Sequence, residues 1–434
     1  MRYILTHDLG TSGNKATLYD LGGRLKAFSV SPYKTYYPAP RSVEQRPADW
    51  WAAVCGSTRS LLEKSGAAPR DIACVTFSGQ MMGCVPVGGQ GEVLRDAIIW
   101  ADSRAAPQEA FLRQQIDPRR FYQITGHRPA AFYSLAKLLW VRDNEPDIYR
   151  KMDKMLQAKD YIVYRLTGEL VTDYSDAGGA NLFDIRAKVW SREIIDAAAL
   201  RPELLPRLCS SLDIAGGVTR AAAEETGLLE GTPVVVGGGD GSCAAAGAGA
   251  VREGSAYMVI GSSAWISSAA REPVCDPDMQ TFNWVALDPE YYTPCGTMQA
   301  AGYSLSWLKN TLCETDGREA GERGLDVYDV IDEKIALSPP GANGLIFLPY
   351  LLGERSPRWN ANAKGAFIGL TMTSARNDMM RAVMEGVGYN LKVILDIISR
   401  GRPPEKITAI GGGAKSEVWL QILADIWQTP IETL

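Results

Sequence analysis

The sequence predicts an α/β protein made of two similarly built lobes. Three observations carry that expectation. The chain has 434 residues, which at about 100–200 residues per domain means two domains or more. Short apolar runs of strand character alternate with stretches of helical periodicity, the pattern of strands and helices packed in layers. A strand–glycine–hydroxyl–strand unit occurs twice, around Gly10-Thr11-Ser12-Gly13 and again around Gly261-Ser262-Ser263.

The elements follow in order. Residues 3–8 read as a strand, 10–13 as a tight turn and 15–19 as a second strand. Gly22-Gly23 then turns the chain into residues 25–30, completing a meander. Residues 50–64 have helical periodicity, preceded by Pro47 and Asp49 and closed by Gly66. Residues 72–78 form a buried strand that breaks at Gly79-Gln80-Met81-Met82-Gly83, and a glycine turn follows at 88–91. Residues 134–142 and 160–166 are predicted helices, the first capped by Ser134. Thr232-Pro233 leads into a strand at 234–236. Near Gly237 the composition shifts, and small residues surround a single acid, Asp240. In the second lobe, strands are expected at 257–260, 264–268 and 407–410. A long helix is expected at 378–400, with Asp378 as N-cap and Gly401 as C-cap. Gly411-Gly412-Gly413 forms a loop, and a helix at 417–427 is stopped by Thr429-Pro430.

Composition excludes several classes. Hydrophobic residues make up 46% and charged residues 22%, enough apolar content for a sizeable core and against a disordered chain. The balance of 45 basic against 50 acidic residues gives −5, with no electrostatic case for nucleic acid or an anionic membrane as partner. No uncharged apolar run reaches the ~18 residues of a membrane span. Asp8 interrupts the first apolar run, so no secretory leader is expected. The two histidines, His7 and His127, rule out a multi-histidine metal site, and both read as structural. The eight cysteines contain no C-x-x-C pair, which fits reduced thiols in a cytoplasmic protein.

Four glycine turns carry the candidate chemistry. In Asp8-Leu9-Gly10-Thr11-Ser12-Gly13-Asn14-Lys15, glycines allow backbone N–H groups to approach phosphate oxygens. Thr11 and Ser12 add donors, and Lys15 adds charge. Asp8 would repel phosphate unless a cation lay between them, which implies Mg²⁺ held through water. The competing reading is an ordinary hairpin turn. In Gly237-Gly238-Gly239-Asp240-Gly241, the spacing Gly239-x-Gly241-x-x-Ala244 matches a loose dinucleotide fingerprint. Asp240 would face the pyrophosphate there, however, and the next strand ends in Gly-Ser-Ser rather than in a ribose-binding acid. A carboxylate held among glycines suits a general base, and the competing reading is a helix N-cap. Gly261-Ser262-Ser263 and Gly411-Gly412-Gly413-Ala414-Lys415-Ser416 each follow an apolar strand, the setting of a phosphate or ribose contact. Taken together, the four predict a nucleotide held between two lobes.

At this point two longer motifs are informative. One is Phe132-Tyr-Ser-Leu-Ala-Lys137-Leu-Leu-Trp140-Val-Arg-Asp143-Asn144. The other is Gly365-Ala-Phe-Ile-Gly369-Leu370 and, after seven residues, Asp378-Met379-Met-Arg-Ala382-Val-Met-Glu385. With them the sequence resembles the FGGY family of carbohydrate kinases, from Tyr3 to the last residue. It is most similar to the xylulokinase branch, through Gly79-Gln80-Met81, Ile98-Ile-Trp100-Ala-Asp102-Ser-Arg104 and Gly411-Gly-Gly-Ala-Lys-Ser-Glu-Val-Trp419.

The resemblance implies two actin/hexokinase-type (ribonuclease H-like) ATPase lobes with a cleft between them. Residues 1–248 would bind sugar and phosphate, and residues 249–434 the nucleotide. It implies ATP and Mg²⁺, with Asp240 as catalytic base and Asp8 near the metal and the transferred phosphate. Thr11, Ser12, Gly13 and Lys15 fall on the first phosphate loop and Ser262 on the second. Gly302, Ser306 and Gly413 fall on nucleotide positions. Gln80, Met81, Met82, Phe132 and Gly241 fall in the sugar pocket beside Asp240. Two positions depart from the branch: its Gln-Met-His-Gly is Gln80-Met81-Met82-Gly83 here, and its Asp-Asn pair is Asp240-Gly241. The family's chains also continue past the Gly-Gly-Gly helix, so their last elements are expected to be absent here. The expected function is an ATP-dependent kinase of a ketopentose such as xylulose. Gluconate or another polyol or ketose is the alternative substrate, and a non-catalytic nucleotide-dependent regulator the alternative class. The expected partners are a small sugar and a second copy of the chain.

Overall fold

Apolar alternation over the first 32 residues builds an antiparallel meander of β1 (Tyr3–Leu9), β2 (Gly13–Asp20) and β3 (Leu25–Pro32). This is seen in a computed structural model that describes residues 2–434. Leu5, Leu9, Ala16 and Leu18 are fully buried. They form the floor against which α1 (Pro47–Ser65) packs. Pro47 opens that helix, Trp50, Val54 and Leu61 line its buried stripe, and Gly66 at φ 66° ends it. Burying each such large side chain stabilises by about 1.5–3 kcal/mol, which is why the pattern outweighs the β-branched and polar residues between them.

On the other side of β1 lies β4 (Ile72–Gly79), parallel to it, with Asp8 opposite Ser78 and Leu9 opposite Gly79. The first unit continues through α2 (Ser134–Asn144), α3 (Ala158–Thr167) and α4 (Tyr174–Gly179). It returns to the sheet with β5 (Ile214–Gly217), β6 (Pro233–Val235) and the short β7 (Gly238–Gly239), before α5 (Asp240–Gly247). The strand order is β5-β6-β4-β1-β2-β3, and β7 also pairs with β4. A second core, including Leu112, Phe121, Leu135, Leu138, Leu182 and Ile194, packs the helices around α2. This unit comprises the residues up to Ala244 together with Trp284–Glu290.

The other unit, Ala245–Asn283 with Tyr291–Leu434, repeats the plan. Here β8 (Ala256–Ile260), β9 (Ala264–Ser268) and β10 (Tyr292–Met298) form an antiparallel meander. Then come α6 (Gly302–Leu312), α7 (Arg376–Ile398), β11 (Ile407–Ile410), α8 (Glu417–Trp427) and β12 (Ile431–Thr433). β11 lies parallel to β8, and β12 parallel to β11. Each unit is thus a meander whose first strand takes a parallel neighbour on its free edge. The twofold echo in the sequence is an echo of topology.

α1 and α3 begin earlier than expected, at Pro47 and Ala158, and three helix caps also differ from expectation. Ser134 is the first residue of α2 rather than its cap. Tyr133 is the cap, and the Ser134 hydroxyl donates to Gly179 O at 3.5 Å. Helix α7 starts at Arg376, with Ala375 as its cap and Asp378 at the third helical position, where its carboxylate accepts the Ala375 N–H at 3.0 Å. The acid serves the same orphan donors from inside the first turn. The same helix is closed by Ser399, and Gly401 follows at φ 72° with its N–H on Asp396 O. No helix among the described residues is long and apolar enough to cross a membrane.

Candidate active site

The site is built on strand ends. β1 and β7 flank β4 as parallel neighbours, with Leu9 and Gly239 both level with Gly79. Asp8 precedes one of these positions and Asp240 follows the other. With strands ~4.8 Å apart, two steps across the sheet separate their backbones by about 10 Å. Both carboxylates therefore sit at the carboxyl edge of parallel strands, where open α/β sheets bind their ligands, and both are exposed.

Their electrostatics differ. Burial raises the Asp8 pKa, while a hydrogen bond from Ser78 and the charge of Lys15 work against it. The Asp240 side chain touches solvent, yet enough protein surrounds it that desolvation pushes it up to about 6. The Gly241 N–H, which it accepts at 2.8 Å, opposes the rise, and the Asp8 charge adds to it. That N–H belongs to the next residue, whereas a cap would accept from two or three residues on, and Asp240 is already the first residue of α5.

The β1–β2 turn is anchored from behind. Gly10 O accepts from the Tyr33 hydroxyl, Thr11 O from Gln45 Nε2 at 2.6 Å, and Ser12 O from the Tyr33 N–H at 3.2 Å. Thr11, Ser12 and Lys15 remain exposed, and Trp100 Nε1 donates to Thr11 Oγ1 at 2.9 Å. Gly13 answers a packing demand: a Cβ there would lie 2.8 Å from Ser31 O and 3.0 Å from Pro32 Cα, so β3 could not pair so closely. Gln80 is buried behind the same turn, its Nε2 on Gln45 Oε1 at 2.8 Å, and its Oε1 has no hydrogen-bond partner among the described residues.

Of the other predicted residues of this unit, Met81 lies against the residue before Asp240, and Met82 and Phe132 are joined to one another through Gly179, Trp284, His127 and Tyr133. Met81 packs directly on Gly239, where a Cβ would fall 2.5 Å from its sulfur. Met82 sits at φ 63°, with its side chain against Gly179. Gly179 also borders the ring of Trp284. Phe132 lies 4.6 Å from the Tyr133 ring. The Tyr133 hydroxyl meets His127 Nδ1 at 2.8 Å, and the His127 ring lies 4.4 Å from that of Trp284. Trp284 comes from a short return of the chain that no sequence signal marks. His7 is far from any such role: it is buried between Asn14 and Thr58, and desolvation lowers its pKa to about 4.

Behind Asp240 stands a buried polar assembly that sequence reasoning missed. The Gly239 N–H donates to Ser175 Oγ at 2.9 Å, and Ser175 Oγ donates to Asp173 Oδ2 at 2.5 Å. Lys159 Nζ lies 2.7–3.3 Å from Asp160, Asp173 and Asp176, all fully buried. The three acids hold the Lys159 ammonium well above its ordinary pKa, and burial raises Asp176 well above the carboxylate range. Gly79 is needed here as well, because a Cβ would fall 3.0 Å from Lys159 Cβ.

The second unit presents its own cluster. Ser262 is exposed on the β8–β9 turn, and its carbonyl accepts from the Ala301 and Tyr303 N–H groups at the start of α6. Gly302 permits that approach, since a Cβ would lie 2.3 Å from Gly261 O. Ser306 lies one turn further along α6. Gly411, at φ 95°, turns the chain out of β11 into the 3-10 turn Gly412–Lys415, and Gly413 packs on Ile260 and Trp419. Ser262, Gly302 and Gly413 thus meet around the ends of β8 and β11, and Ser306 lies on the first turns of the helix that Gly302 opens.

The residues present fit a divalent cation bound through a ligand. Asp8 is an exposed carboxylate on the strand that enters a glycine turn, with Lys15 opposite it in register, and its charge adds to the raised pKa of Asp240. No group of three metal-ligating side chains occurs among the described residues, so phosphate oxygens and water would complete the shell.

The comparisons agree with this architecture. Residues 3–247 match the N-terminal domain, and 256–434 the C-terminal domain, of the FGGY family of carbohydrate kinases. The chain is 35% identical to a xylulose kinase of Bacillus subtilis, over 99% of this chain and 84% of that protein. Its structure is similar to a ligand-bound xylulose kinase from Lactobacillus acidophilus, with a TM-score of 0.91, 28% identity, and 100% and 86% of the two chains covered. It is equally similar to a gluconate kinase from the same organism, with a TM-score of 0.91, 29% identity, and 100% and 85% covered. The fold is the two-domain actin/hexokinase type.

Proposed function

We propose, from the premise that the chain belongs to the FGGY family of carbohydrate kinases, that it transfers the γ-phosphoryl group of ATP to a hydroxyl of a ketopentose such as xylulose. The observation that carries this reading is the pair of exposed carboxylates at the carboxyl ends of the two strands flanking β4, Asp8 near the end of β1 and Asp240 just after β7, the latter pushed up to about 6. A base near the working pH is efficient because it is ionised yet still takes up a proton readily.

Asp240 accepts the proton of the attacking hydroxyl as its oxygen bonds to the γ-phosphorus and the bond to the ADP oxygen breaks. Thr11, Ser12 and Lys15 donate to the phosphate oxygens from a turn whose carbonyls are already engaged, so little reorganisation accompanies charge development. Asp8 would hold Mg²⁺ through water, and the ion when bound offsets charge on the phosphates. Ser262, Gly302, Ser306 and Gly413 contact the nucleotide. Gln80 offers an unpartnered acceptor, and Met81, Met82, Phe132 and Gly241 shape the sugar pocket.

Gluconate is the second reading. Met82 and Gly241 stand where xylulokinase-type sequences carry a histidine and an amide, and the structural likeness to a gluconate kinase is as close as that to a xylulose kinase. The test of the base is Asp240→Asn. We expect kcat to fall ~10²–10⁴-fold with ATP affinity nearly unchanged. A near-normal kcat removes Asp240 from the chemistry.

A further inference from the structure

Lys137 is fully buried on α2, and among the described residues its ammonium has no carboxylate partner within hydrogen-bond distance. It donates instead to three backbone carbonyls: Met82 O at 2.7 Å, Ile99 O at 2.8 Å and Phe132 O at 2.6 Å. Those carbonyls come from three separate segments. One carries Met81 and Met82, one precedes Trp100, whose indole holds Thr11, and one carries Phe132. Three acceptors around one nitrogen use all three N–H bonds of an ammonium, whereas a neutral amine has two N–H bonds and would turn its lone pair on the third oxygen. Met82 moreover keeps φ 63°, a conformation that a non-glycine residue holds only when its surroundings impose it.

We propose that Lys137 is the positioning residue of the sugar pocket, its ammonium gathering the backbones of Met82, Ile99 and Phe132 into the one arrangement that receives the sugar. This rests on the reading that Met82 and Phe132 line that pocket. Burial pulls the Lys137 pKa down to about 7. Asp102 is the largest influence against that fall, Cys84 acts with it, and Arg104 acts with the burial. The proton that fixes three loops is therefore one that moderate alkalinity can remove.

The experiment compares Lys137→Met, Lys137→Arg, Phe132→Ala and the parent, with KM for sugar and for ATP measured separately from pH 6 to pH 9. Loss of the ammonium is expected to raise the sugar KM by about 10- to 100-fold, the usual cost of a displacement near 1 Å, and to leave the ATP KM within about twofold. In the parent, the sugar KM should climb on the alkaline side, and Lys137→Met should abolish that climb. Lys137→Arg should retain part of the affinity, because it keeps the charge. A sugar KM in Lys137→Met equal to the parent's overturns the proposal, as does an equal rise in both KM values. If Lys137→Met does not fold, Lys137→Arg decides: its bulkier head cannot sit within reach of all three carbonyls, so a sugar KM equal to the parent's, or an equal rise in both KM values, overturns the proposal. Phe132→Ala separates the two layers of inference. If it leaves the sugar KM unchanged, the pocket assignment has failed; if it raises the sugar KM while Lys137→Met does not, only the positioning role has failed.

Discussion

The acid limb of the rate profile follows from the setting of Asp240. A base with a pKa of about 6 is ~90% ionised at pH 7 and ~10% at pH 5, so kcat/KM for the sugar should fall about tenfold between them. An aspartate at its ordinary value near 4 would lose less than about 10% over the same range. The assay is coupled ADP release at saturating ATP from pH 5 to pH 7, with enzyme returned to pH 7 to exclude inactivation. Asp8→Asn should move the limb to lower pH, because the Asp8 charge contributes to the rise. Stability must change in the matching direction. An acid whose folded pKa lies above its unfolded value costs stability as pH rises from about 4 through about 6. Asp240→Asn should therefore raise Tm at pH 7, and the gain should vanish below about pH 4. A parent kcat/KM flat between pH 5 and pH 7 would refute the assignment of Asp240 as a base tuned by burial.

The remaining expectations are briefer. ATP binding should weaken markedly when Mg²⁺ is chelated, and Asp8→Ala should reduce that dependence; calorimetric titration with and without EDTA checks it. Gly302→Ala drives a Cβ to 2.3 Å from Gly261 O, a backbone atom that cannot swing aside. Overpacking of ~1–3 kcal/mol predicts an ATP KM raised about 5- to 150-fold, with the sugar KM unchanged in the same kinetic series. Met82→His with Gly241→Asn should raise kcat/KM for D-xylulose about tenfold, for ~1.4 kcal/mol of regained hydrogen bonding. Histidine also suits φ 63° at position 82 better than methionine does. A parent that already prefers D-xylulose strongly over gluconate and polyols counts against that reasoning.

Much of the scaffold was legible because its signals are local. Gly10-Thr11-Ser12-Gly13 between alternating strands can hardly be anything but a hairpin turn, and Asp8 and Lys15 face each other across it by register alone. The same holds for Ser262. The helix ends were less legible. The side chain of Asp378 reaches back to an N–H three residues earlier, so a cap and an inside-turn partner look alike in sequence. What lay furthest out of reach depends on contacts distant in sequence. Lys137 is a mid-helix lysine that would ordinarily face water, and only the fold brings Met82, Ile99 and Phe132 to it. Lys159 and its three acids are likewise assembled by packing. Trp284 comes beside Gly179 and His127 through the excursion of a few residues into the first unit. Gln80, expected in the sugar pocket, uses its amide nitrogen to brace the phosphate turn, a role fixed by where Gln45 sits.

Phosphoryl transfer to a sugar makes ADP formation depend on the sugar. Purified enzyme with ATP and Mg²⁺ would be given D-xylulose, D-gluconate and a panel of other ketopentoses and polyols, with the phosphorylated product identified by mass spectrometry. ADP release should rise at least tenfold with one of these acceptors, matched one to one by its phosphate ester, if phosphoryl transfer to a sugar is the reaction. ADP release that no acceptor increases, in a protein that still binds ATP, would contradict it and leave a nucleotide-dependent regulator as the better description.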